Sequence, residues 1–237
     1  MENTDNKATK EPVVLLENVT ISHDHEPLLS NVNLNIANGE FVYLIGRSGT
    51  GKTSLLRSLY ADLPIENGKA LICGFDIAKM RRRKIPHLRR RIGMVFQDFR
   101  LLGDRNVYAN LEFVLRSIGW HRRDEIRSRI NEVLSAVGIA DKSEEMPMRL
   151  SEGQQQRVGI ARALVGKPDL ILADEPTGNL DPVTSAEIMQ LLTDINRDTH
   201  TTMLISTHDF MTIDRFPARV LVCENGTVVD SEAQNAQ

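Results

Sequence analysis

The amino-acid sequence predicts an α/β fold with a mainly parallel sheet, a flanking antiparallel β-subdomain and an inserted helical subdomain. Three observations support this prediction. Short apolar segments typical of strands alternate with helical segments, as in parallel sheets covered by helices on both faces. Two strand-like segments closely precede the apolar segment "FVYLIG", which indicates a second, antiparallel sheet. A helical block, residues 106–138, separates two strand-rich regions and is therefore predicted to be an insertion.

The first half of the chain begins with a polar segment. Residues 1–12 contain charged residues, Asn and Thr but almost nothing apolar, so we expect a disordered tail. The predicted strands that follow are "VVLLENVTI", "NVNLNI", "FVYLIG", "KALICG" and "RIGMVFQ". A helix is predicted for "GKTSLLRSLYADL", and the basic stretch "KMRRRKIPHLRRR" separates the last two strands.

The second half begins with the helical block. Apolar residues recur there at helical spacing, namely Ile126, Ile130, Val133, Leu134 and Val137. Gly138 lies where such a helix would end. We place the helical subdomain at about residues 98–165, within a single domain of residues 13–231. The remaining predicted elements are a helix from Ser151, the strand "DLILADE", a helix from Pro182 to Asn196, the strand "TTMLIST" and a hairpin with Asn225 and Gly226 at its turn.

Composition limits the classes of function. An apolar content of 41% and a charged content of 26% are ordinary for a globular protein. The net charge of -3 disfavours a dedicated nucleic-acid binder, so no nucleic-acid partner is expected. Cys73 and Cys223 form no metal or redox motif, which favours reduced thiols. No apolar run reaches the ~18 residues that span a bilayer, and the N-terminus is unlike a signal peptide. We therefore expect a cytoplasmic protein whose membrane role depends on a partner.

A phosphate-binding loop is predicted between the strand "FVYLIG" and the following helix. "GRSGTGKT" matches G-x-x-x-x-G-K-S/T in the strand–helix context that this motif requires. Glycines let backbone N–H groups converge on phosphate oxygens, and the helix N-terminus adds its positive end. The predicted ATP-binding residues are Gly46, Arg47, Ser48, Gly49, Thr50, Gly51, Lys52, Thr53 and Ser54. Lys52 would reach the β- and γ-phosphates and the Thr53 hydroxyl would bind Mg²⁺. The alternative is a glycine-rich turn with a chance lysine.

Two acids end the apolar strand "LILADE". Ligands of open α/β sheets bind at the carboxyl ends of strands, where Asp174 and Glu175 lie. Because adjacent side chains on a strand point to opposite faces, the two acids are expected to do different work. Asp174 is assigned to Mg²⁺ and Glu175 to polarising the attacking water near the γ-phosphate. The alternative is a solvated strand end that caps the next helix.

The segment "RLSEGQQQRVGIARAL" begins a helix with anion-binding features. A helix that starts at Ser151 presents a hydroxyl, free N–H groups and a positive dipole end. The chain already has one phosphate loop, so this second site is predicted to serve a nucleotide bound mainly by another copy. A two-fold, head-to-tail homodimer would then enclose two nucleotides. The alternative is an ordinary serine N-cap on a helix that only packs against the core.

Six motifs together resemble those of ATP-binding-cassette (ABC) ATPases. "GRSGTGKT", "VFQDF", "LSEGQ", "LILADEP", "GNLDP" and "STHD" occur in that family's order and approximate spacing, over about residues 13–230. The resemblance implies a Mg²⁺-dependent ATPase of P-loop NTPase fold whose substrate is ATP. It implies catalytic roles for Glu175, His208 and Gln97. It also implies Mg²⁺ ligation by Thr53, Gln97 and Asp174.

The resemblance assigns further roles that spacing alone does not give. Gln97 corresponds to the glutamine that contacts Mg²⁺ and faces the membrane partner, and His208 to the histidine that holds the γ-phosphate. Asp181 corresponds to the D-loop aspartate. The signature residues that contact ATP across the dimer are Ser151, Glu152, Gly153 and Gln154.

Two positions depart from the family pattern. Glu152 replaces the first signature glycine, and its carboxylate would repel a γ-phosphate unless it points away. We expect it to point outward, where a negative charge at the start of a helix is favourable. His23 stands where the family commonly has an adenine-stacking aromatic residue, so base selectivity is expected to be loose.

The segment from Phe96 to Leu115 resembles the cell-division ATPases of the FtsE group, particularly in Asp104 and Arg105. This resemblance implies an integral membrane partner of the FtsX type, control of cell-wall hydrolases, and a peripheral position at the inner face of the cell membrane. The alternatives are the ATPase of a lipoprotein-release or mechanotransmission exporter, a slowly hydrolysing scaffold, and a DNA-repair or translation ATPase. The basic stretch is predicted to be a solvated surface or a contact with anionic lipid headgroups, with nucleic-acid binding as the alternative.

Overall fold

The computed structural model describes residues 12–23 and 26–231. The predicted disordered tail lies outside these ranges, apart from Pro12. The described strands are β1 (Val14–His23), β2 (Glu26–Ile36), β3 (Phe41–Ile45), β4 (Ile65–Ile72), β5 (Phe75–Asp76), β6 (Ile92–Val95), β7 (Leu170–Asp174), β8 (Thr202–Thr207), β9 (Arg219–Glu224) and β10 (Thr227–Asp230). The described α-helices are α1 (Lys52–Leu59), α2 (Ile85–Arg89), α3 (Val107–Ser117), α4 (Arg123–Ala136), α5 (Glu152–Leu164), α6 (Pro182–Thr199) and α7 (Phe210–Arg215).

The main sheet has six strands in the order β10-β9-β3-β8-β7-β6. Its strands pair in parallel except for the terminal hairpin of β9 and β10, so the predicted mainly parallel sheet is confirmed. The hairpin turn is formed by Asn225 and Gly226, with φ of 48° and 71°, as a two-residue Asn-Gly turn requires. The carboxyl ends of β3, β7 and β8 meet at one edge of this sheet, and that edge carries the site.

The flanking sheet is antiparallel, with the order β2-β1-β4-β5. The two sheets enclose one of the molecule's two hydrophobic cores together with α1, and helices α3 to α6 cover the second core on the other face of the main sheet. Strand β7 shows the division, because Leu172 enters the first core while Ile171 and Ala173 enter the second. Burial on both faces explains why these strands are apolar throughout.

The helical region follows β6, as predicted. The apolar residues at helical spacing in α4 are buried, and Gly138 adopts φ of 73° just beyond the end of that helix. Helix α5 approaches β6 so closely that a Cβ on Gly93 would lie 2.5 Å from the carbonyl oxygen of Ala163. This contact holds the helical region against the edge strand of the main sheet.

Two predicted helix boundaries are wrong. Helix α1 ends at Leu59, four residues before the end of the predicted helical segment, because Ala61 turns to a φ of 53°. Helix α6 continues to Thr199 rather than ending at Asn196, and His200 then ends it with a φ of 53°. Such boundaries depend on single left-handed residues that hydrophobic periodicity does not reveal.

Candidate active site

The loop between β3 and α1 packs closely against β9. A Cβ on Gly46 would lie only 2.3 Å from the carbonyl oxygen of Cys223 in β9, so this position requires glycine. The Cys223 thiol donates to the Thr50 carbonyl oxygen at 3.1 Å. Within the loop, Arg47, Ser48 and Gly49 are exposed to solvent. The first-turn N–H groups of α1, from Lys52 to Ser54, come directly after this loop and have no acceptor within the helix.

Lys52 connects the loop with the acids of β7. Its Nζ donates to the carbonyl oxygens of Gly46 and Arg47, at 2.8 and 3.2 Å, and lies 3.9 Å from Oε1 of Glu175. The residue is only 6% exposed although it is charged. A buried ammonium group with these neighbours is directed at the mouth of the loop, where the motif predicts phosphate.

Asp174 is the last residue of β7. Its Oδ1 accepts hydrogen bonds from the hydroxyls of Thr53, at 3.1 Å, and Ser206, at 2.7 Å. Ser206 lies opposite Asp174 in the register of β7 and β8 and is fully buried. The sequence prediction did not include Ser206, although it lies only two residues before His208.

Glu175 is not on the strand, so the reasoning from alternating strand faces is wrong. Strand β7 ends at Asp174, and Glu175 adopts a left-handed φ of 46°. Its backbone N–H donates to the carbonyl and hydroxyl oxygens of Ser206, at 3.2 and 3.0 Å. This turn, rather than strand alternation, separates the two carboxylates and directs Glu175 towards Lys52 and His208. Nδ1 of His208 lies 3.2 Å from Oε2 of Glu175.

Gln97 follows β6 and contacts the segment after Glu175. Its Nε2 donates to Oδ1 of Asn179 at 3.2 Å, and Nδ2 of Asn179 donates back to the Gln97 carbonyl oxygen at 3.1 Å. The side-chain amide of Gln97 thus binds Asn179, and the metal-binding role of Gln97 stays a prediction. Asn179 was not predicted, because its partner is 82 positions away in the sequence.

The start of α5 is a capping box. Ser151 Oγ accepts from the Gln154 N–H at 3.3 Å, and the Gln154 side chain accepts from the Ser151 N–H at 3.1 Å. Glu152 is exposed in the first turn, as expected from the helix dipole. Gln154 already makes a local hydrogen bond, so its contact with ATP across a dimer stays a prediction, as do those of the other signature residues.

The signature helix also contacts two elements of its own chain. A Cβ on Gly153 would lie 2.6 Å from Cγ2 of Thr184 in α6. The buried Gln156 donates through Nε2 to the carbonyl oxygen of Pro176, the residue after Glu175, at 2.6 Å. The repeated glutamines of "EGQQQR" therefore have structural partners, which the sequence alone did not reveal.

Asp181 is the N-cap of α6. Its Oδ1 accepts from the N–H groups of Val183 and Thr184, and its carboxylate also accepts from the Thr184 hydroxyl. The hydrogen bonds from Thr184 lower the pKa of Asp181 below its ordinary value. The Thr184 side chain thus contacts both the predicted D-loop aspartate and the signature glycine.

The oxygens beside the loop suit Mg²⁺. Thr53 and Asp174 supply a hydroxyl and a carboxylate at 3.1 Å from each other. Within the described ranges, no group of three or more His, Cys, Asp or Glu side chains forms a metal cage. Mg²⁺ is usually held by one or two protein oxygens together with substrate phosphates, so this donor set fits the ion. The side chain of His23 lies outside the described part of the chain, and its role stays a prediction.

Two further findings concern the cysteines and the described helices. Cys73 and Cys223 are free, buried thiols, and burial raises the pKa of Cys73 to about 12. Among the described helices, none has the length and apolar character to cross a bilayer.

Comparison with known proteins places these motifs in a family. The ABC transporter family matches residues 29–178. The chain is 44% identical over 206 residues to the cell division ATP-binding protein FtsE of Streptococcus pneumoniae serotype 2, covering 87% of this chain and 89% of that protein. It is 40% identical to the methionine import ATP-binding protein MetN of Carboxydothermus hydrogenoformans, over 92% of this chain and 65% of MetN.

Solved structures of ABC proteins share the fold. The chain is similar to cbiO1 of Clostridium perfringens, part of the ABC transporter complex cbiONQ, with a TM-score of 0.85 and 31% identity over 93% of this chain and 88% of cbiO1. It is also similar to the dimeric, post-hydrolysis structure of the cassette MJ0796 bound to ADP and Pi. There the TM-score is 0.80, with 36% identity over 91% of this chain and 96% of MJ0796. This chain is an ATP-hydrolysing cassette of the ABC transporter family.

Proposed function

We propose that two copies of this chain bind and hydrolyse Mg-ATP in a head-to-tail dimer, as the ATPase of an FtsE-type membrane complex. The observation that carries the proposal is the convergence of four side chains on the phosphate loop. Lys52, Asp174, Glu175 and His208 come from three different strand ends and form one connected group. The dimeric ADP and Pi complex of the similar cassette MJ0796 supports the two-copy arrangement.

The chemistry requires little beyond positioning and charge. The loop N–H groups and Lys52 bind the phosphates and neutralise their charge. Thr53 and Asp174 would hold Mg²⁺, with Gln97 as a further predicted ligand, and the ion would supply positive charge to stabilise the charge that develops on the phosphates. Glu175 orients and polarises the attacking water, and His208 contacts the γ-phosphate beside it. Ser151 and the N-terminus of α5 from the second copy complete the anion site.

Substituting the proposed base tests this function. Glu175→Gln is expected to lower the steady-state ATPase rate by about 100-fold or more, because general-base catalysis contributes that much. The variant should also accumulate as an ATP-bound dimer in light scattering. Glu132→Gln is the control, since Glu132 is an exposed α4 residue that pairs with Arg129. Equal ATPase rates in the two variants would refute the assignment of Glu175.

The membrane partner is proposed to bind a groove beside Gln97. The groove has a volume of about 410 Å³ and is lined by residues that include Tyr60, Ile85, Arg89, Phe96, Ile118 and Arg162. It lies between α2, β6 and the helical region, so a rigid-body movement of the helical region would be transmitted to a docked helix. Arg162 donates to the Phe99 carbonyl oxygen at 2.7 Å and so links this groove with the segment after Gln97.

Similarity to FtsE and the Asp104-Arg105 pair support an FtsX-type partner and a role in cell division. Arg105 lies over the ring of Phe113 at 4.8 Å from its centroid, which orders this segment on the surface of α3. The chain would then be peripheral at the inner face of the cell membrane. Affinity purification from membranes tests this: a four-span protein with one extracellular loop domain supports the proposal, whereas a solute importer of the kind MetN serves would overturn it.

A slowly hydrolysing scaffold is the second candidate. Glu152 favours it, because a carboxylate stands at the start of the signature helix where the family has glycine. ATPase turnover of the reconstituted membrane complex decides between the two. A Glu152→Gly variant with markedly faster turnover would support the scaffold, and an unchanged fast rate would exclude it.

A further inference from the structure

A strongly basic surface lies beside the proposed docking groove. Residues 77–97 contain eight Lys or Arg and no Asp or Glu, in a chain whose net charge is -3. The positive charge is therefore local and is not a property of the whole protein. Neither the ATP site nor the groove accounts for this concentration of charge.

Five of these cations have no acidic partner among the residues that the structure describes. Lys79 lies 3.9 Å from Asp76, Arg89 lies 3.7 Å from Asp62, and Arg91 pairs with Asp169. The others are exposed and make no ion pair with any residue in the described ranges. We call these five the basic surface: Arg81, Arg82, Arg83, Lys84 and Arg90.

The basic surface is held in place by the fold. Arg82–Lys84 form a 3₁₀ turn that continues directly into α2, and Leu88 of α2 is fully buried. Ile85, Pro86 and Arg90 line the groove proposed for the membrane partner. Arg90 therefore lies in the groove lining, and Arg82–Lys84 immediately precede two other lining residues.

We infer that the basic surface binds anionic phospholipid headgroups beside the docked membrane protein. This inference rests on the proposed function, because that function brings the groove to the membrane. Unpaired cations near an anionic leaflet each strengthen binding about five-fold. Nucleic-acid binding is disfavoured, since residues 77–91 contain no Phe, Tyr or Trp on which bases could stack.

Vesicle flotation of the full chain tests the inference without the membrane partner. The probes are phosphatidylcholine vesicles with and without phosphatidylglycerol, at low salt. The native chain is expected to bind only the anionic vesicles and to be released as salt shortens the screening length. A variant with Arg81→Gln, Arg82→Gln, Arg83→Gln and Lys84→Gln is expected to bind at least about 50-fold more weakly.

The matched control removes four other exposed cations. Arg122→Gln, Arg123→Gln, Arg127→Gln and Arg197→Gln give the same net charge as the test variant but leave the basic surface intact. This control should bind like the native chain. Equal loss of binding in both variants, or no binding of the native chain to anionic vesicles, would overturn the inference. Tighter binding to duplex DNA than to vesicles would assign the surface to nucleic acid instead.

Different experimental results would refute the lipid inference and the ATPase proposal. The four substituted residues lie outside the loop, the acids and the groove lining, so the test variant should keep the native ATPase rate and ATP-dependent dimerisation. Lost lipid binding by a variant with native ATPase activity supports the inference alone. A Glu175→Gln variant with undiminished ATPase activity would refute the ATPase proposal without changing the vesicle result.

Discussion

Ser206 connects the two acids of the site. Its hydroxyl donates to Asp174 and accepts from the backbone N–H of Glu175, and no solvent reaches it. The hydroxyl therefore fixes both the carboxylate beside Thr53 and the left-handed turn that directs Glu175 at Lys52. Removing this buried hydroxyl breaks two hydrogen bonds, one of them to a carboxylate, while Asp174 keeps the bond from Thr53 and Glu175 keeps the bond to the Ser206 carbonyl oxygen.

We expect Ser206→Ala to lower stability by about 1–3 kcal/mol and to reduce the ATPase rate. Ser58→Ala is the matched control, because the Ser58 hydroxyl is equally buried but has no hydrogen-bond partner in the described part of the protein. Urea unfolding and steady-state ATPase assays on both variants measure the difference. A similar loss in Ser58→Ala would show that Ser206 acts only as buried volume.

The sequence predicted the candidate reacting side chains but not the residues that support them. Lys52 and Asp174 were predicted from motif spacing and strand position, whereas His208 was predicted from the family resemblance. Ser206, Asn179 and Gln156 act through hydrogen bonds to segments far away in the sequence. The amino-acid sequence does not show which residues form such pairs, because serine, asparagine and glutamine are also ordinary surface residues.

The close contact between α5 and α6 restricts how these two helices can pack. Gly153 has no side chain to separate the two helices, and the methyl group of Thr184 occupies the space where a Cβ would lie. The Thr184 hydroxyl meanwhile binds Asp181 at the N-cap of α6. The signature glycine is therefore required within its own chain, whatever it contacts in a second copy.

Gly153→Ala is expected to destabilise the chain by about 1–3 kcal/mol through overpacking. Thr184→Ser should restore most of this loss in the double variant, because it removes the methyl group and keeps the hydroxyl for Asp181. Urea denaturation of both single variants and the double variant gives the coupling energy.

Gly103→Ala is the control for this cycle. A Cβ on Gly103 would meet nothing within 4 Å, so the substitution should change stability little. An equal cost of Gly153→Ala in the native and Thr184→Ser backgrounds would contradict the proposed contact.

In the proposed dimer, one chain does not contain a complete ATP site. The loop, Lys52, Glu175 and His208 lie together, whereas the predicted trans contact of Ser151 serves a second copy. A defect in Lys52 and a defect in Ser151 should therefore complement one another when they are on different chains of a head-to-tail dimer.

Mixing equal amounts of Lys52→Ala and Ser151→Arg chains should restore about a quarter of the native ATPase rate, since half of the dimers are mixed and each has one complete site. Mixing Lys52→Ala with Glu175→Gln should restore nothing, because both defects affect the same half of the site. ATPase assays of the mixtures and the separate chains measure this. Absence of rescue in the first mixture would contradict the shared site.

The alternation of strands and helices, the antiparallel flank, the phosphate loop and the candidate reacting side chains were all predicted from the amino-acid sequence. These features depend on local periodicity and on motifs with fixed spacing. The three-dimensional fold was needed to show that Glu175 leaves the strand, that Ser206 joins the two acids and that Gly153 packs against Thr184. Those contacts form when distant segments are brought together in the fold, and their geometry depends on distances between atoms that no local pattern of residues records.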